Sequence, residues 1–317
     1  MRVLITGAGG FIGRALSLRL LNDDGVLGQP LSRLILLDQA TAPMPPDPRV
    51  HALEGDIADP TLLRRALADG VHHVFHLASV PGGLAERDYA LGERVNLGAT
   101  LELLHQLRER PQAPVVVFAS SVAVYGAAWP AQMDEATPAA PSMSYGAHKL
   151  IGELLLRDFS RRGWIDGRAL RLPGVVARPR APLGSSGLMS AYMSELLHAL
   201  AAGEAYTCPV SAQAVSWWMS ARCCVDNLIR AAKLPTEALN AERTWVLPVL
   251  RFTMEEIIEA LARQFGDDRR GLVRYAPNAA LEAAFGRHPP LHTPRARAAG
   301  FTDDGSIEAL LRHALER

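Results

Sequence analysis

The chain has little of several features that would point to a particular class of protein. Lys plus Arg and Asp plus Glu both number 33 in its 317 residues, so no excess charge favours a nucleic acid or an anionic membrane as partner. Only three cysteines are present, too few for a disulfide framework. No apolar run reaches the roughly 18 residues of a membrane-spanning helix. These absences leave a globular protein with a small-molecule partner as the expectation.

The start of the chain and two of its cysteines indicate a reducing compartment. A strand-like apolar run at residues 3–5 begins at once, without the basic and apolar segments of a signal peptide, which predicts a cytoplasmic protein. Cys223 and Cys224 are adjacent within a segment of helical character. We expect both to pack as reduced thiols.

Apolar runs alternate with segments of helical periodicity over the first 175 residues. This is the pattern of βαβ units laid into a parallel sheet, and it predicts an α/β fold with a doubly wound Rossmann sheet. The runs lie at residues 2–5, 34–37, 50–53, 74–77, 115–119 and 168–172, and the helical segments at residues 10–21, 60–68, 89–109 and 144–161.

The order changes after residue 172. Residues 173–187 are rich in Pro, Gly and Arg and are typical of a loop, so we place the start of a smaller C-terminal lobe there. Residues 244–249 are predicted to form a last strand. Thr253 and Glu256 have the spacing of a capping box that opens a helix.

A glycine-rich turn follows the first predicted strand. Gly7, Gly10 and Gly13 have the spacing GxxGxxG, in which the first permits a tight turn, the second leaves room for a diphosphate and the third lets helix and strand pack closely. The turn opens a helix, so its amides, including those of Phe11 and Ile12, would face a pyrophosphate. The turn therefore predicts a dinucleotide cofactor.

Asp38 closes the second predicted strand. A carboxylate there would accept hydrogen bonds from both adenosine ribose hydroxyls and would repel a 2′-phosphate, which predicts NAD in preference to NADP. The alternative is an aspartate that caps a loop.

Tyr145 and Lys149 carry the strongest indication of chemistry. Their i, i+4 spacing in a predicted helix places both on one face. A free tyrosine ionises near pH 10, so a tyrosine base needs a neighbouring cation, which Lys149 supplies. Ser121 ends the run that starts at residue 115 and would hold a reacting hydroxyl by a hydrogen bond. A YxxxK pair alone is common, but the segment SSVAVYG at residues 120–126 makes it specific.

As a set, these motifs resemble those of the extended short-chain dehydrogenase/reductases. The resemblance covers most of the first 175 residues. It is carried by the glycine turn, Asp38, GDI at residues 55–57, HLA at residues 76–78, Asn96, SSVAVYG at residues 120–126 and YGAHK at residues 145–149.

The resemblance implies an oxidoreductase whose catalytic trio is Ser121, Tyr145 and Lys149, with Ser121 rather than Ser120 as the serine. It also implies an NAD-binding domain over residues 1–172, to which residues of about 213–249 return, and a mostly substrate-binding lobe over residues 173–317. A homodimer is implied too, through a four-helix bundle of the helices near residues 90–110 and 145–160. The implied NAD contacts are Gly7, Gly10, Phe11, Ile12, Gly13, Asp38, Asp56, Ile57, Leu77, Ala78, Asn96, Tyr145 and Lys149.

Many extended members act on nucleotide sugars and carry the pattern R-x-x-N-x-x-G-P after the sixth strand. Here Gly174 stands where that asparagine would be, and the usual later histidine and paired aspartates are missing. The segments RLPGVVARPRAPLGSSG, CPVS and SWWMS instead resemble those of the sugar-acid dehydrogenases of the family. This resemblance implies oxidation of the C2 hydroxyl of a four-carbon aldonate to the 2-oxo acid, with Tyr145 as base and hydride transfer to NAD.

An acidic substrate needs a cationic partner. Arg178 or Arg180 would hold the carboxylate in a bidentate fork, although either is equally consistent with a solvated loop charge. Ser185 is a candidate partner for a substrate hydroxyl, as are the nearby Ser186 and Ser190. The alternatives are a nucleotide-sugar epimerase that retains its NAD and a non-catalytic NAD sensor.

Two other groups of side chains invite a functional interpretation. His72, His73 and His76 do not indicate a metal site, because they lie along one predicted strand, where residues 72 and 76 face one way and residue 73 the other. Trp217 and Trp218 would either wall a sugar pocket or fill the junction between lobes.

Overall fold

The computed structural model describes residues 1–41, 43–180 and 189–315. Its strands are β1 (Arg2–Thr6), β2 (Arg33–Asp38), β3 (Val50–Glu54), β4 (His73–His76), β5 (Val115–Ser121), β6 (Met133–Asp134), β7 (Asp166–Leu172), β8 (Gly174–Val176), β9 (Tyr206–Cys208), β10 (Val215–Ser220), β11 (Thr244–Val246), β12 (Leu250–Thr253), β13 (Val273–Tyr275) and β14 (Leu291–His292).

The α-helices are α1 (Phe11–Asn22), α2 (Pro60–Leu67), α3 (Gly82–Arg87), α4 (Tyr89–Gly92), α5 (Ala99–Arg108), α6 (Ser144–Arg161), α7 (Ala191–Ala202), α8 (Ala221–Lys233), α9 (Met254–Phe265), α10 (Ala279–Phe285), α11 (Pro294–Ala298) and α12 (Ile307–Leu315). A π-helical segment, Glu93–Gly98, joins α4 to α5. Short 3-10 helices span Val122–Tyr125, Thr236–Ala238 and Asp267–Leu272. Among the described residues, no helix combines the length and the hydropathy needed to cross a membrane.

The central sheet of the described residues has seven strands in the order β11-β7-β5-β4-β1-β2-β3. The chain starts at β1, adds β2 and β3 on one side of it, and then returns to place β4 on the other side. The pairs β1–β2, β2–β3, β1–β4, β4–β5 and β7–β11 are all parallel. In a doubly wound sheet this reversal is where dinucleotides bind, outside the carboxyl ends of the strands. The predicted Rossmann fold is confirmed.

The sheet is central because its strands are apolar on both faces. Val3, Leu4 and Ile5 in β1 have no exposed surface, and Leu34 and Leu37 in β2 are equally buried. Continuous apolar runs of this kind are typical of parallel strands covered by helices on both sides.

The chain divides into two compact units. The first unit comprises residues 1–124, 141–171 and 225–246, and the second comprises residues 125–140, 172–224 and 247–317. The sequence placed residues 213–224 with the Rossmann domain. The structure places them in the second unit, because β10 pairs there with β8 and β12 in a three-stranded sheet.

Trp217 and Trp218 lie in β10 and are part of the core of the second unit. They are 1% and 0% exposed. The indole N–H of Trp217 donates to the carbonyl of Pro289 at 2.9 Å, and that of Trp218 donates to the carbonyl of Phe252 at 3.3 Å. Both therefore fill the interior of this unit.

The strand predicted at residues 244–249 ends at residue 246, and a strand that was not predicted begins at residue 250. Residues 244–246 form β11 in the seven-stranded sheet, whereas residues 250–253 form β12 and pair antiparallel with β10. Pro248 lies between them, and a proline has no N–H to donate to a sheet ladder. The predicted capping box is confirmed, because the Thr253 hydroxyl accepts from the N–H of Glu256 at 3.1 Å and the Glu256 carboxylate accepts from the N–H of Thr253 at 2.7 Å.

Candidate active site

The glycine turn between β1 and α1 is built from close backbone contacts. Gly7 has φ +74°, and a Cβ atom added there would lie 2.6 Å from the backbone nitrogen of Ala78. A Cβ atom at Gly13 would lie 2.1 Å from the carbonyl oxygen of Gly7. Both positions therefore require glycine, which brings the start of α1 against the end of β1.

This turn fits the diphosphate of a dinucleotide. Helix α1 has neither a side-chain cap nor an acidic residue in its first turn. Among the described residues no capping side chain therefore accepts from its first N–H groups, which include those of Phe11 and Ile12, and the helix dipole favours an anion. A Cβ atom at Gly10 would meet only the Gly7 carbonyl, at 3.2 Å, and the space beyond is open. We call this open space beside Gly10 the diphosphate cradle. A longer side chain at residue 10 would fill it.

Asp38 lies at the carboxyl end of β2, where it is half-buried. Its Oδ2 atom accepts from the N–H of Gly9 at 2.8 Å, and its Oδ1 atom accepts from the N–H of Gln39 at 2.7 Å. These two bonds fix the carboxylate beside the glycine turn. A carboxylate has about four acceptor positions, so capacity remains for ribose hydroxyls.

Asp56 follows β3 and is held from two sides. Its Oδ1 atom accepts from the N–H of Ala58 at 2.9 Å, and its other oxygen pairs with Arg94. Although burial acts in the opposite direction, these hydrogen bonds and the Arg94 charge together lower the pKa of Asp56. The next residue, Ile57, is buried.

Asn96 is buried in the π-helical segment, and its amide is used by the backbone. Its Oδ1 atom accepts from the N–H of Val80 at 2.7 Å, and its Nδ2 atom donates to the carbonyl of Val80 at 3.1 Å. Leu77 and Ala78 precede this anchor, and Leu77 donates its N–H to the carbonyl of Thr6 at 3.1 Å. Asn96 therefore holds the loop that follows β4.

His76 supports the same region as a neutral side chain. Its two ring nitrogens lie 2.7 Å from the hydroxyl of Thr6 and 2.8 Å from the hydroxyl of Thr100. Burial lowers the pKa of His76 to about 3. In the described part of the chain, no three His, Cys, Asp or Glu side chains form a group that would hold a metal ion.

Tyr145 and Lys149 lie together at the start of α6. The Nζ atom of Lys149 is 5.6 Å from the ring centroid of Tyr145 and 4.8 Å from that of Phe118, so the ammonium group contacts two aromatic rings. Lys149 is 2% exposed, and burial lowers its pKa to about 7. A tyrosine and a cation thus share one helix face.

The two serines at the end of β5 have different surroundings. Ser120 is 2% exposed, and its hydroxyl donates to Oε1 of Glu153 at 2.5 Å. Ser121 is half-buried, and its oxygen accepts from the N–H of Ala123 at 3.1 Å. Within the described parts of the chain the Ser121 hydroxyl donates no hydrogen bond, which favours Ser121 as the residue that contacts a substrate.

Glu153 is a residue of the site that the sequence did not single out. It is 5% exposed and accepts a fork from Arg171, with Nε at 2.9 Å and Nη2 at 2.7 Å. Together with Ser120 it joins β5, α6 and β7 immediately beside the candidate trio. The signal was present in the spacing, since residues 145, 149 and 153 fall on one helix face.

The comparisons with known proteins agree with this geometry. The model of the NAD dependent epimerase/dehydratase family matches residues 3–240. The chain belongs to this family. A D-erythronate dehydrogenase from Cupriavidus necator is 41% identical over 322 residues, covering 100% of this chain and 98% of that protein. Another, from Haemophilus influenzae, is 31% identical over 320 residues, covering 100% and 99%.

A solved structure confirms the likeness over the whole fold. The nucleoside-diphosphate-sugar epimerase from Agrobacterium tumefaciens is 33% identical and superposes with a TM-score of 0.91, covering 98% of this chain and 92% of that one. As a member of the NAD-dependent epimerase/dehydratase family, the chain is an oxidoreductase that acts on a CH–OH group, and its cofactor is NAD.

Gly174, which stands where many nucleotide-sugar members carry an asparagine, lies in a closely packed part of the second unit. A Cβ atom there would lie 3.1 Å from the sulfur of Met193 and 3.1 Å from the carbonyl oxygen of Trp217. The start of β8 is therefore closely packed, and a larger residue there would require Met193 or the backbone at Trp217 to shift by a few tenths of an ångström. With glycine at this position, the chain has no side-chain amide there to contact a nucleotide.

The candidate carboxylate-binding arginines differ in their surroundings. Arg180 is exposed and already forms a fork on Glu204, at 3.1 and 2.6 Å. Arg178 is half-buried, and its backbone is fixed by Ser194, which accepts its N–H at 3.0 Å, and by His198, which donates to its carbonyl at 2.6 Å. Ser185 and Ser186 lie outside the described residues.

Proposed function

We propose that the protein oxidises the C2 hydroxyl of a small sugar acid, D-erythronate or a near relative, to the 2-oxo acid. The observation that carries the proposal is the full-length likeness to two D-erythronate dehydrogenases, which extends through the second unit as well as the first. The glycine at position 174 adds support, because it lacks the side-chain amide that nucleotide-sugar members carry there.

The proposed reaction uses Tyr145 as the base. Tyr145 takes the proton of the C2 hydroxyl, and Lys149 beside it favours the phenolate over the phenol. Ser121 donates a hydrogen bond to the reacting oxygen and orients it. When bound at the glycine turn and Asp38, NAD would supply the acceptor for the hydride that leaves C2. Ser120, Glu153 and Arg171 act behind these groups by fixing β5 against α6.

Cofactor and substrate are assigned to different parts of the chain. The first unit is the NAD-binding domain, with the diphosphate at the glycine turn and the adenosine ribose at Asp38. The adenine amine is assigned to Asp56, with Ile57, Leu77 and Ala78 as further contacts. The second unit is the substrate-binding lobe.

Arg178 is the proposed partner of the substrate carboxylate. Arg180, which is exposed and pairs with Glu204, is the alternative. Ser185 is proposed as a hydroxyl contact on the resemblance alone.

The functional unit is proposed to be a homodimer. Three large apolar side chains remain exposed on α4 and α6: Tyr89 at 56%, Ile151 at 38% and Leu154 at 48%. They belong to the two helical regions that form the family's four-helix bundle. Exposed apolar side chains of this size favour burial against a second copy.

The reaction is tested by the appearance of NADH absorbance. NAD is supplied with D-erythronate, other aldonates, uronates and UDP-sugars at matched concentrations. We expect turnover of D-erythronate or a near relative. The turnover rate of the variant Tyr145→Phe should be lower by a factor of about 10² to 10⁴, while its affinity for NAD should be unchanged.

Two results would contradict the proposal. One is conversion of a UDP-sugar without net formation of NADH. That result would favour an epimerase, the activity named for the Agrobacterium tumefaciens relative. The other is full activity in Tyr145→Phe, which would remove the tyrosine from the mechanism while leaving the substrate assignment intact.

A further inference from the structure

A cleft in the second unit lies outside the groups assigned to the reaction. Its volume is about 560 Å³, which is within the usual range of small-molecule sites. The residues that give it its chemical character are Trp129, Pro130, Arg251, Arg287, His288 and Pro289.

The cleft carries uncompensated positive charge. Among the residues that the structure describes, no acidic side chain lines it. The Nε atom of Arg251 donates to the carbonyl of His288 at 2.9 Å, but within the described ranges neither Arg251 nor Arg287 is paired with a carboxylate. Burial lowers the pKa of His288 to about 4, so this side chain is neutral near pH 7. In a chain whose positive and negative charges balance, two such guanidinium groups in one cleft indicate an anionic ligand.

Trp129 adds a polar group and a flat apolar surface. Its indole N–H is buried without a hydrogen-bond partner among the described residues. Its ring is fixed edge-on against Trp217, with centroids 5.4 Å apart, and lies 4.9 Å from the ring of His288. A buried donor of this kind is destabilising unless a ligand or a water accepts from it. Aromatic and proline surfaces suit the C–H faces of a carbon chain.

We propose that this cleft binds a small polyhydroxylated organic anion. Arg251 and Arg287 take its carboxylate or phosphate group, and Trp129 contacts its carbon chain and donates to one of its oxygens. The site is carried by residues of the second unit alone. None of the residues that line it is assigned to the reaction proposed above, so ligand binding in the cleft and turnover of a substrate are tested separately.

The proposal is tested by isothermal titration calorimetry without NAD. The probes are D-gluconate, D-glucose 6-phosphate and the neutral polyol D-glucitol. We expect the two anions to bind and glucitol not to bind, and the tighter anion identifies the preferred charged group. Arg251→Gln and Arg287→Gln should each weaken anion binding about tenfold or more, because each removes a charged fork. Trp129→Phe keeps an aromatic ring but removes the N–H, and should weaken binding severalfold.

The matched control is Arg274→Gln, an exposed arginine of the same unit that does not line the cleft. Its titration should match that of the wild type. Arg251 and Arg287 are also exposed, so Arg287→Gln and Arg274→Gln should keep the wild-type melting temperature, and Arg251→Gln, which loses the bond to the His288 carbonyl, should melt only slightly lower. Anion binding at the proposed catalytic residues should be the same in every variant. Only the anion binding that is lost in the cleft variants is therefore assigned to the cleft.

Three results would overturn the proposal. The first is wild-type affinity in both Arg251→Gln and Arg287→Gln. The second is binding of D-glucitol as tight as that of the anions. The third is the absence of binding by both anions to the wild type at millimolar concentration.

Discussion

Lys149, a proposed catalytic residue, is buried at the expense of stability. Its ammonium group lies between the rings of Phe118 and Tyr145, and burial lowers its pKa from 10.5 to about 7. The shift corresponds to roughly 5 kcal/mol in favour of the neutral amine. A pKa near neutrality is also what allows a residue to exchange protons with its surroundings at physiological pH.

The stability effect has a definite sign. Below about pH 7, Lys149 is charged in both the folded and the unfolded chain, and the desolvation penalty is felt in full. Between about pH 7 and 10.5, the unfolded chain keeps the proton that the folded chain has lost, so the free energy of unfolding rises with pH.

Replacing Lys149 by methionine should therefore stabilise the protein without NAD. We expect Lys149→Met to raise the free energy of unfolding by a few kcal/mol at about pH 6, and the gain to shrink by roughly half at about pH 9. Urea titration at several pH values measures it. Lys233→Met, at an exposed position of α8, is the control and should show little change with pH. A gain for Lys149→Met that is absent or constant with pH would refute this account.

At the scale of elements, the glycines where β1 meets α1 have two different roles. Some are required by the packing of the fold, and one is required by the proposed ligand. Gly13 has no room for a Cβ atom, because the Gly7 carbonyl would lie 2.1 Å away. Gly10 has a single contact at 3.2 Å and open space beyond it. Alanine at these two positions should therefore have different consequences.

We expect Gly13→Ala to lower the free energy of unfolding by about 1–3 kcal/mol, as overpacking does. Gly10→Ala should stay close to wild-type stability but lose most of its NAD affinity, because the methyl group fills the diphosphate cradle. Gly271→Ala is the control, since a Cβ atom there meets nothing within 4 Å. Thermal melting and NAD titration give the two readouts. Normal NAD binding by Gly10→Ala would remove the diphosphate from this turn.

Sequence patterns were sufficient where an element is long and periodic. The helix predicted at residues 144–161 is α6, with the same bounds. The helix predicted at residues 89–109 contains the π-helical segment Glu93–Gly98, which the sequence did not predict. A local widening of a helix leaves its apolar periodicity almost unchanged, so the pattern gives no sign of it. Short strands such as Leu291–His292 were missed, since two residues carry no alternation.

The site was predictable to the extent that its residues sit in motifs. Tyr145 and Lys149 followed from a spacing within one helix. Glu153 did not, because its importance lies in contacts with Ser120 and Arg171, which come from other elements of the fold. A single sequence contains the spacing but not these contacts.

At the scale of the whole molecule, exposed apolar side chains are concentrated on one pair of helices. Of the four large apolar residues that are exposed in the described structure, Tyr89, Ile151 and Leu154 lie on α4 and α6, and Tyr275 lies in the second unit. Ile151 and Leu154 are three residues apart in α6 and therefore share a face. This is the distribution expected if these helices are covered in the working enzyme.

The double variant Ile151→Glu with Leu154→Glu should convert a dimer into a monomer, because it would bury unpaired carboxylates in the proposed bundle. Light scattering after size exclusion measures the mass directly. Tyr275→Glu introduces the same charge at an exposed apolar position outside the bundle and should leave the dimer intact. A dimer that survives the double variant would move the interface elsewhere. A wild-type protein that is monomeric at micromolar concentration would show that these side chains are exposed in solution. Their exposure would then need an explanation other than a dimer interface.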